Sequence, residues 1–313
     1  MKEYRYTHIS KSDNLALSVL RMEPDDKNDI KGIVQLVHGM NEYKERYLPF
    51  MRYLVEHGFL TVIHDHRGHG ASVKSPDDLG YMYEGGYEAL LEDIHEITLD
   101  IKEYSRSLTG KTLPLILFGH SMGSMAVRCY IRKYDSEIQK LVVMGCPSKQ
   151  AGMKPGLAFI RLIKKIKGER KRDLFIAGLV MGSYEKRFGK EDVPHAWINS
   201  DHEKVREYNA DPLCNYLFTL NAFENLVRLT MLTYTDGGYA MKNPSLPIRF
   251  FSGADDPCAV NEKSFNNAME LLKKQGYTNV SGKMYPGMRH ELLNEPENQM
   301  VMDEILDFME KGI

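Results

Sequence analysis

The chain has 313 residues, 42% of them apolar and 27% charged, with a formal net charge of −2. That length exceeds one ~150-residue domain and can bury a large core without disulfide or metal staples, and 25 Gly and 13 Pro exclude collagen-like and low-complexity classes. The near-neutral balance gives no electrostatic footprint for nucleic acid; with neither an apolar leader after Met1 nor a run near the ~18 apolar residues of a membrane span, a cytoplasmic protein, peripheral to a membrane at most, is expected.

In chain order, residues 4–9 and 15–22 alternate like an antiparallel pair. Short apolar runs rich in β-branched residues follow at 33–37, 60–63, 115–118, 141–144 and 248–251, each ending at or near glycine, as buried strands with tight exits do. Helical spacing occupies 47–57, 87–104, 122–134 and 263–275, and residues 299–311 close the chain as an amphipathic helix. Strand and helix in alternation predict an α/β fold, a mostly parallel sheet with helices on both faces. The alternation lapses between Pro147 and Pro247. The expected organisation is therefore a core of residues 1–147 and 247–313 with a helical cap inserted at 148–246, its helices at 155–167, 173–181 and 217–234. Cys129, Cys146, Cys214 and Cys258 lack the paired spacing of metal or dithiol motifs and read as buried thiols.

The segment Leu115 to Gly123 is an apolar strand running into Gly119-His120-Ser121-Met122-Gly123 and then a helix. A Gly-x-Ser-x-Gly sequence between strand and helix forces its serine onto a sharp turn, where flanking glycines avoid collisions and the hydroxyl is exposed at the end of the sheet. Serine is a poor nucleophile at neutral pH, so a base and a carboxylate must follow. Of eleven histidines, His290 stands in a late glycine-bearing loop. The loop after residues 248–251 supplies Asp255 and Asp256; Gly-x-x-Asp spacing from Gly253 favours Asp256. An oxyanion requires two donors: the amide of Met122, after the nucleophile, and the amide of Met40 in His38-Gly39-Met40-Asn41-Glu42, after the first parallel strand. His38 reads as a brace for that loop.

Together with His64-Asp65-His66-Arg67-Gly68-His69-Gly70-Ala71-Ser72, these motifs resemble the monoglyceride lipase and lysophospholipase branch of the α/β-hydrolases, which includes serine aminopeptidase S33-like chains, over nearly the whole length. The resemblance implies hydrolysis of a fatty-acyl ester of a single-chain lipid, a monoacylglycerol or lysophospholipid, through an acyl-enzyme on Ser121 and without a cofactor. Asn41 and Ser124 stand where such relatives often carry glycine, which leaves the shape of the acyl pocket open.

Three other readings compete. His64, His66 and His69 match the histidines of a binuclear zinc signature, but Gly68 replaces the aspartate that should precede the third, so no metal is expected, and Asp65 and Arg67 read as loop braces. An aminopeptidase or a short-chain carboxylesterase is compatible with the same core; a peptidase should offer cap carboxylates to an ammonium group. Between Lys154 and Arg172 the cap instead has eight basic residues against one acid, a net charge of +7 in a chain whose remainder carries a net −9. With Leu157, Ile160, Ile163 and Ile166 at three-residue steps, segment 154–172 is expected to make transient contact with an anionic membrane surface. A non-catalytic binding module would have no use for an activated serine.

Overall fold

The computed structural model describes residues 1–312. Its strands are β1 (Lys2–Ile9), β2 (Ala16–Glu23), β3 (Gly32–Val37), β4 (Phe59–His64), β5 (Leu115–His120), β6 (Lys140–Met144), β7 (Ile248–Gly253) and β8 (Val280–Tyr285). They form one sheet in the order β1-β2-β4-β3-β5-β6-β7-β8. β1 and β2 are antiparallel to their neighbours, and every pairing from β4 to β8 is parallel.

The central strands are apolar at nearly every position because both faces are covered. In β5, Leu115 and Leu117 point into one core while Ile116 and Phe118 point into the other, the two-residue alternation of a strand. The helices in chain order are α1 (Leu48–Glu56), α2 (Gly86–Thr109), α3 (Met122–Tyr134), α4 (Met153–Lys167), α5 (Leu174–Arg187), α6 (His202–Ala210), α7 (Leu220–Thr233), α8 (Glu262–Gln275) and α9 (Asn298–Glu310). α1 and α9 cover one face through Phe50, Leu54, Ile305 and Met309. α2, α3 and α8 cover the other through Ile94, Val127 and Phe265. Among the described residues no helix is long and apolar enough to cross a membrane.

Helices α4 to α7 lie between β6 and β7 in the chain. α7 packs on α2 and α3, and its Phe223, Leu226 and Leu229 join the same buried cluster as the sheet. The stretch between β6 and β7 is thus rooted in the core by its last helix, while α4 and α5 form an outer layer with Ile160 and Ile176 as buried anchors. Two elements, α6 and β8, have no counterpart among the ranges read from the sequence.

Strand order decides where a site can form. The chain leaves β3 toward β4 on one side and reaches β5 on the other, so the loops after β3 and β5 diverge and open a crevice at the carboxyl edge of the sheet. The loops after β7 and β8 reach the same edge.

Candidate active site

Ser121 sits between β5 and α3 with φ 54° and ψ −118°, a left-handed conformation that costs a side-chain-bearing residue about 1–3 kcal/mol. The surroundings hold it there. Its amide donates to Met144 O at 3.0 Å, and the Ser124 hydroxyl donates back to its carbonyl. Ser124 is buried and spent on the turn, so this departure from glycine braces the serine. The neighbouring glycines are required by space: a Cβ on Gly123 would lie 2.1 Å from Val37 O, and one on Gly119 would lie 2.5 Å from Gly123 O.

The hydroxyl of Ser121 meets His290 Nε2 at 2.8 Å, and His290 Nδ1 meets Asp256 Oδ2 at 2.9 Å. Asp256 and His290 are buried; Asp256 is further oriented by the Cys258 amide, which donates to Oδ1 at 2.8 Å. Asp255 turns outward to Arg187 at 3.2 Å. Three residues from three separate strand exits thus form one hydrogen-bonded line, able to draw a proton from the serine.

The loop after β3 runs directly against the nucleophile, since a Cβ on Gly39 would lie 2.9 Å from Ser121 Cβ. Among the described residues neither the Met40 nor the Met122 amide donates to another backbone carbonyl, and Met122 is the first residue of α3, where the helix dipole favours negative charge. Asn41 has φ 56°, a conformation asparagine tolerates better than most residues, which accounts for asparagine standing where glycine is common. Its side-chain amide donates to Tyr216 O, tying the loop to the insertion.

Under this loop lies a group of partners that the sequence reading passed over. Glu42 accepts from the Gly39 amide, from Tyr47 Oη at 3.0 Å and from His120 Nδ1 at 2.9 Å; His120 Nε2 in turn faces the His290 carbonyl at 3.2 Å. Burial opposes ionisation of both, yet each is outweighed by the other: the His120 charge and hydrogen bond, helped by Arg46, hold Glu42 below the usual carboxylate range, and Glu42 holds His120 above its ordinary value. A second carboxylate, Glu291, is clasped by Arg46 at 2.5 and 2.8 Å. These pairs join residues up to 245 positions apart and leave no local signature; the short turn Lys44–Tyr47 before α1 contributes Arg46 and Tyr47.

The histidine-rich turn after β4 is structural. His66 donates its amide to His38 Nε2 at 2.9 Å, so His38 must be neutral with its proton on Nδ1, facing Gly39 O at 2.8 Å. Burial pushes His64 down to about 3 and His69 down to about 4. Asp65 accepts from the Lys44 and Ala71 amides, each at 2.8 Å, and Arg67 pairs with Asp93 at 2.9 Å. Among the described residues, the ligand atoms that converge as a metal site's would belong to Asp256, Cys258 and His290, not to these histidines.

Above Ser121 is a cavity of about 300 Å³. Asn41, Glu42, Glu291 and Tyr208 contribute polar groups to its lining, and Met125 in α3, Ile160 in α4, Met181 in α5 and Leu226 in α7 contribute apolar ones. Leu179, Met181 and Trp197 also line it. Phe218 and Phe223 are core residues, and Phe159 and Phe175 face outward; α4 and α5 present Gly156, Ile160, Val180 and Tyr184 to the cavity.

Comparison with known proteins agrees with this architecture. The model of the serine aminopeptidase S33 family matches residues 28–297. A monoacylglycerol lipase of Mycolicibacterium smegmatis is 27% identical over 290 residues, 90% of this chain and 89% of that protein. A monoglyceride lipase of Saccharomyces cerevisiae is 23% identical over 298 residues, 91% of this chain and 85% of that protein. A thermostable carboxyl esterase from Bacillus coagulans, solved in complex with glycerol, has a TM-score of 0.88 at 25% identity, with 99% of each chain covered. The matching pattern spans both flanks of the insertion and the loops that carry Ser121, Asp256 and His290, and the chain belongs to the serine aminopeptidase S33 family of α/β-hydrolases.

Proposed function

We propose that the protein is a serine hydrolase that cleaves the acyl ester of a single-chain lipid, a monoacylglycerol or a lysophospholipid, through an acyl-enzyme on Ser121. The observation that carries this is the hydrogen-bonded line Ser121–His290–Asp256 at the floor of an apolar cavity of about 300 Å³. The lipase names of its relatives support the ester as the bond cleaved. The polar border beside Ser121 suits the alcohol, and the apolar wall suits the acyl chain. Met40, Met122, Met125, Met153 and Met181 all line the cavity, and flexible thioethers adapt to acyl chains of different shape.

In this mechanism Ser121 Oγ attacks the acyl carbon while His290 Nε2 takes its proton and Asp256 stabilises the imidazolium. The amides of Met40 and Met122 hold the oxyanion. As the tetrahedral intermediate collapses, the proton passes from His290 to the departing alcohol. Water then repeats the sequence on the acyl-enzyme, leaving fatty acid and free Ser121. Residues 148–246 act as the cap that excludes water from the acyl chain.

The family's aminopeptidase name favours a second reading, and the two carboxylates on the cavity border bear on it. Glu42 and Glu291 are already engaged by His120 and Arg46, which leaves neither available to a substrate ammonium. The deciding experiment is a panel of monoacylglycerols, lysophospholipids, short esters and aminoacyl arylamides, with fluorophosphonate labelling of wild type and Ser121→Ala. Ester hydrolysis with labelling lost in Ser121→Ala is expected; arylamide turnover exceeding ester turnover would reverse the assignment.

We further propose that α4 and α5 rest on a lipid surface. Leu162, Ile166, Leu174 and Phe175 are exposed there, Leu174 by 80% and Ile166 by 71%, an apolar patch of the kind that marks an interaction site.

A further inference from the structure

The base loop is held from two sides. On the core side, His120 Nε2 faces the His290 carbonyl at 3.2 Å and the Asp255 amide donates to Met288 O at 3.0 Å. On the other side, Arg46 clasps Glu291 and Glu295 accepts from the Arg289 amide at 2.7 Å, and the remaining grip comes from residues 188–200, between β6 and β7. Arg289, next to the base, forms a bidentate pair with Glu191 at 2.9 and 2.7 Å, donates to the carbonyls of Ala196 and Asn199, and lies over the Phe188 ring at 4.2 Å. After the base, the Glu291 amide donates to Ile198 O at 2.8 Å. The Trp197 ring faces the His290 ring between these two ties, with 5.1 Å between centroids.

The loop needs such ties. It follows β8, which pairs only with β7 and so forms the sheet's edge, and at Gly287 nothing lies within 4 Å of where a side chain would start. A planar guanidinium clasped at both ends by one carboxylate fixes orientation as well as distance, and its side chain is only 14% exposed. Displacing a catalytic group by ~1 Å can lower turnover on the order of a hundredfold.

We propose that Arg289 is a positioning residue for the reaction: its pair with Glu191 joins the base loop to residues 188–200, so that His290 is aligned on Ser121 only while that segment is seated. This rests on the acyl-enzyme reading. Arg289 touches no reacting atom and acts through the loop.

The test compares wild type with Arg289→Gln, Glu191→Gln, the double variant and Arg289→Lys. Each is followed by the rate of fluorophosphonate labelling of Ser121 and by kcat and KM for p-nitrophenyl acetate, whose acyl group is too short to need the apolar wall, with Tm measured alongside. Each Gln variant is expected to label and turn over on the order of tenfold more slowly, with KM unchanged. The double variant should be no worse than Arg289→Gln, because the Arg289–Glu191 pair is already lost in that single, and Arg289→Lys should recover part of the rate. If Arg289→Gln does not fold, Glu191→Gln alone carries the test, since it keeps the size of a quarter-exposed side chain while removing its charge, with His202→Gln as the control for its other partner. Labelling and short-ester kcat that stay at wild-type values, whether or not Tm falls, would overturn the proposal. A wild type that fluorophosphonate does not label fails differently, by removing the acyl-enzyme on which the proposal stands.

Discussion

Asp255 and Asp256 are neighbours in the chain with opposite surroundings. Asp256 is buried and spends both oxygens, one on His290 and one on the Cys258 amide, whereas Asp255 is half-exposed and meets only Arg187 in an ion pair. Asp256→Asn should therefore lower kcat on the order of a thousandfold or more, since an amide can neither stabilise the imidazolium nor hold its tautomer, and Asp255→Asn should leave ester turnover close to wild type. Parallel kinetics with circular dichroism to verify folding checks both; an active Asp256→Asn would reassign the acid. The two glycines beside Ser121 give a second contrast. A methyl on Gly39 would press on Ser121 Cβ and the Glu42 carboxylate, a methyl on Gly123 on two backbone carbonyls. Gly39→Ala is expected to fold and lose about a hundredfold in kcat through a misplaced oxyanion loop, whereas Gly123→Ala, with no side chain able to yield, should be recovered mainly as insoluble protein. Thermal melts and soluble yield separate the two outcomes. At this scale the sequence was informative wherever chemistry and a strand exit coincide, as at Ser121 and His290. It was silent on Arg46 and Arg289, whose partners Glu291 and Glu191 lie far along the chain and follow no spacing rule.

Among the elements, legibility followed burial. Strands β3 to β7 announce themselves as apolar runs because helices cover both faces. β8, Val-Ser-Gly-Lys-Met-Tyr, lies at the sheet's edge with only Val280 and Tyr285 buried, and so carries no such run. α6 buries a single side chain, Val205, too little for an apolar stripe to form, although Asp201 caps it by accepting from the Glu203 amide. The α4–α5 layer shows how structure redistributes a sequence signal. Four of the basic residues that set the segment's charge are already paired, Arg161 and Lys164 with Glu224, Lys167 with Asp173, and Arg170 with Asp78, while the apolar residues around them stay uncovered. Attachment to a bilayer should therefore depend more on apolar area than on charge. In liposome co-sedimentation, Leu174→Ser with Phe175→Ser is expected to reduce binding by more than tenfold, with up to about 2 kcal/mol of burial lost for each side chain, and binding to neutral vesicles should fall in parallel. Binding that vanishes in high salt but survives the double substitution would return the weight to the lysines.

For the molecule as a whole, the nearly neutral charge conceals a proton balance that is far from neutral. Burial holds His38, His64, His66 and His69 below their ordinary value, His64 at about 3 and His69 at about 4, so below about pH 6.5 the unfolded chain binds protons at these sites that the native state refuses. Stability from this source is complete above pH 6.5 and is lost as the pH falls toward 4 and 3. Asp93, raised to about 6 by burial, and His120, raised by Glu42, act in the opposite direction, so the wild-type profile sums opposing slopes. His64 isolates one of them. Neither of its ring nitrogens has a hydrogen-bond partner, and it is fully buried at the end of β4, so an apolar side chain of similar size removes a titration without breaking a bond. His64→Leu should match or exceed wild type in stability at pH 7 and retain about 2 kcal/mol that wild type loses between pH 7 and 5. Urea unfolding midpoints of both proteins at the two pH values measure this difference directly, with every other titrating group common to the pair. Equal losses in the two proteins would mean that His64 takes up a proton in the native state.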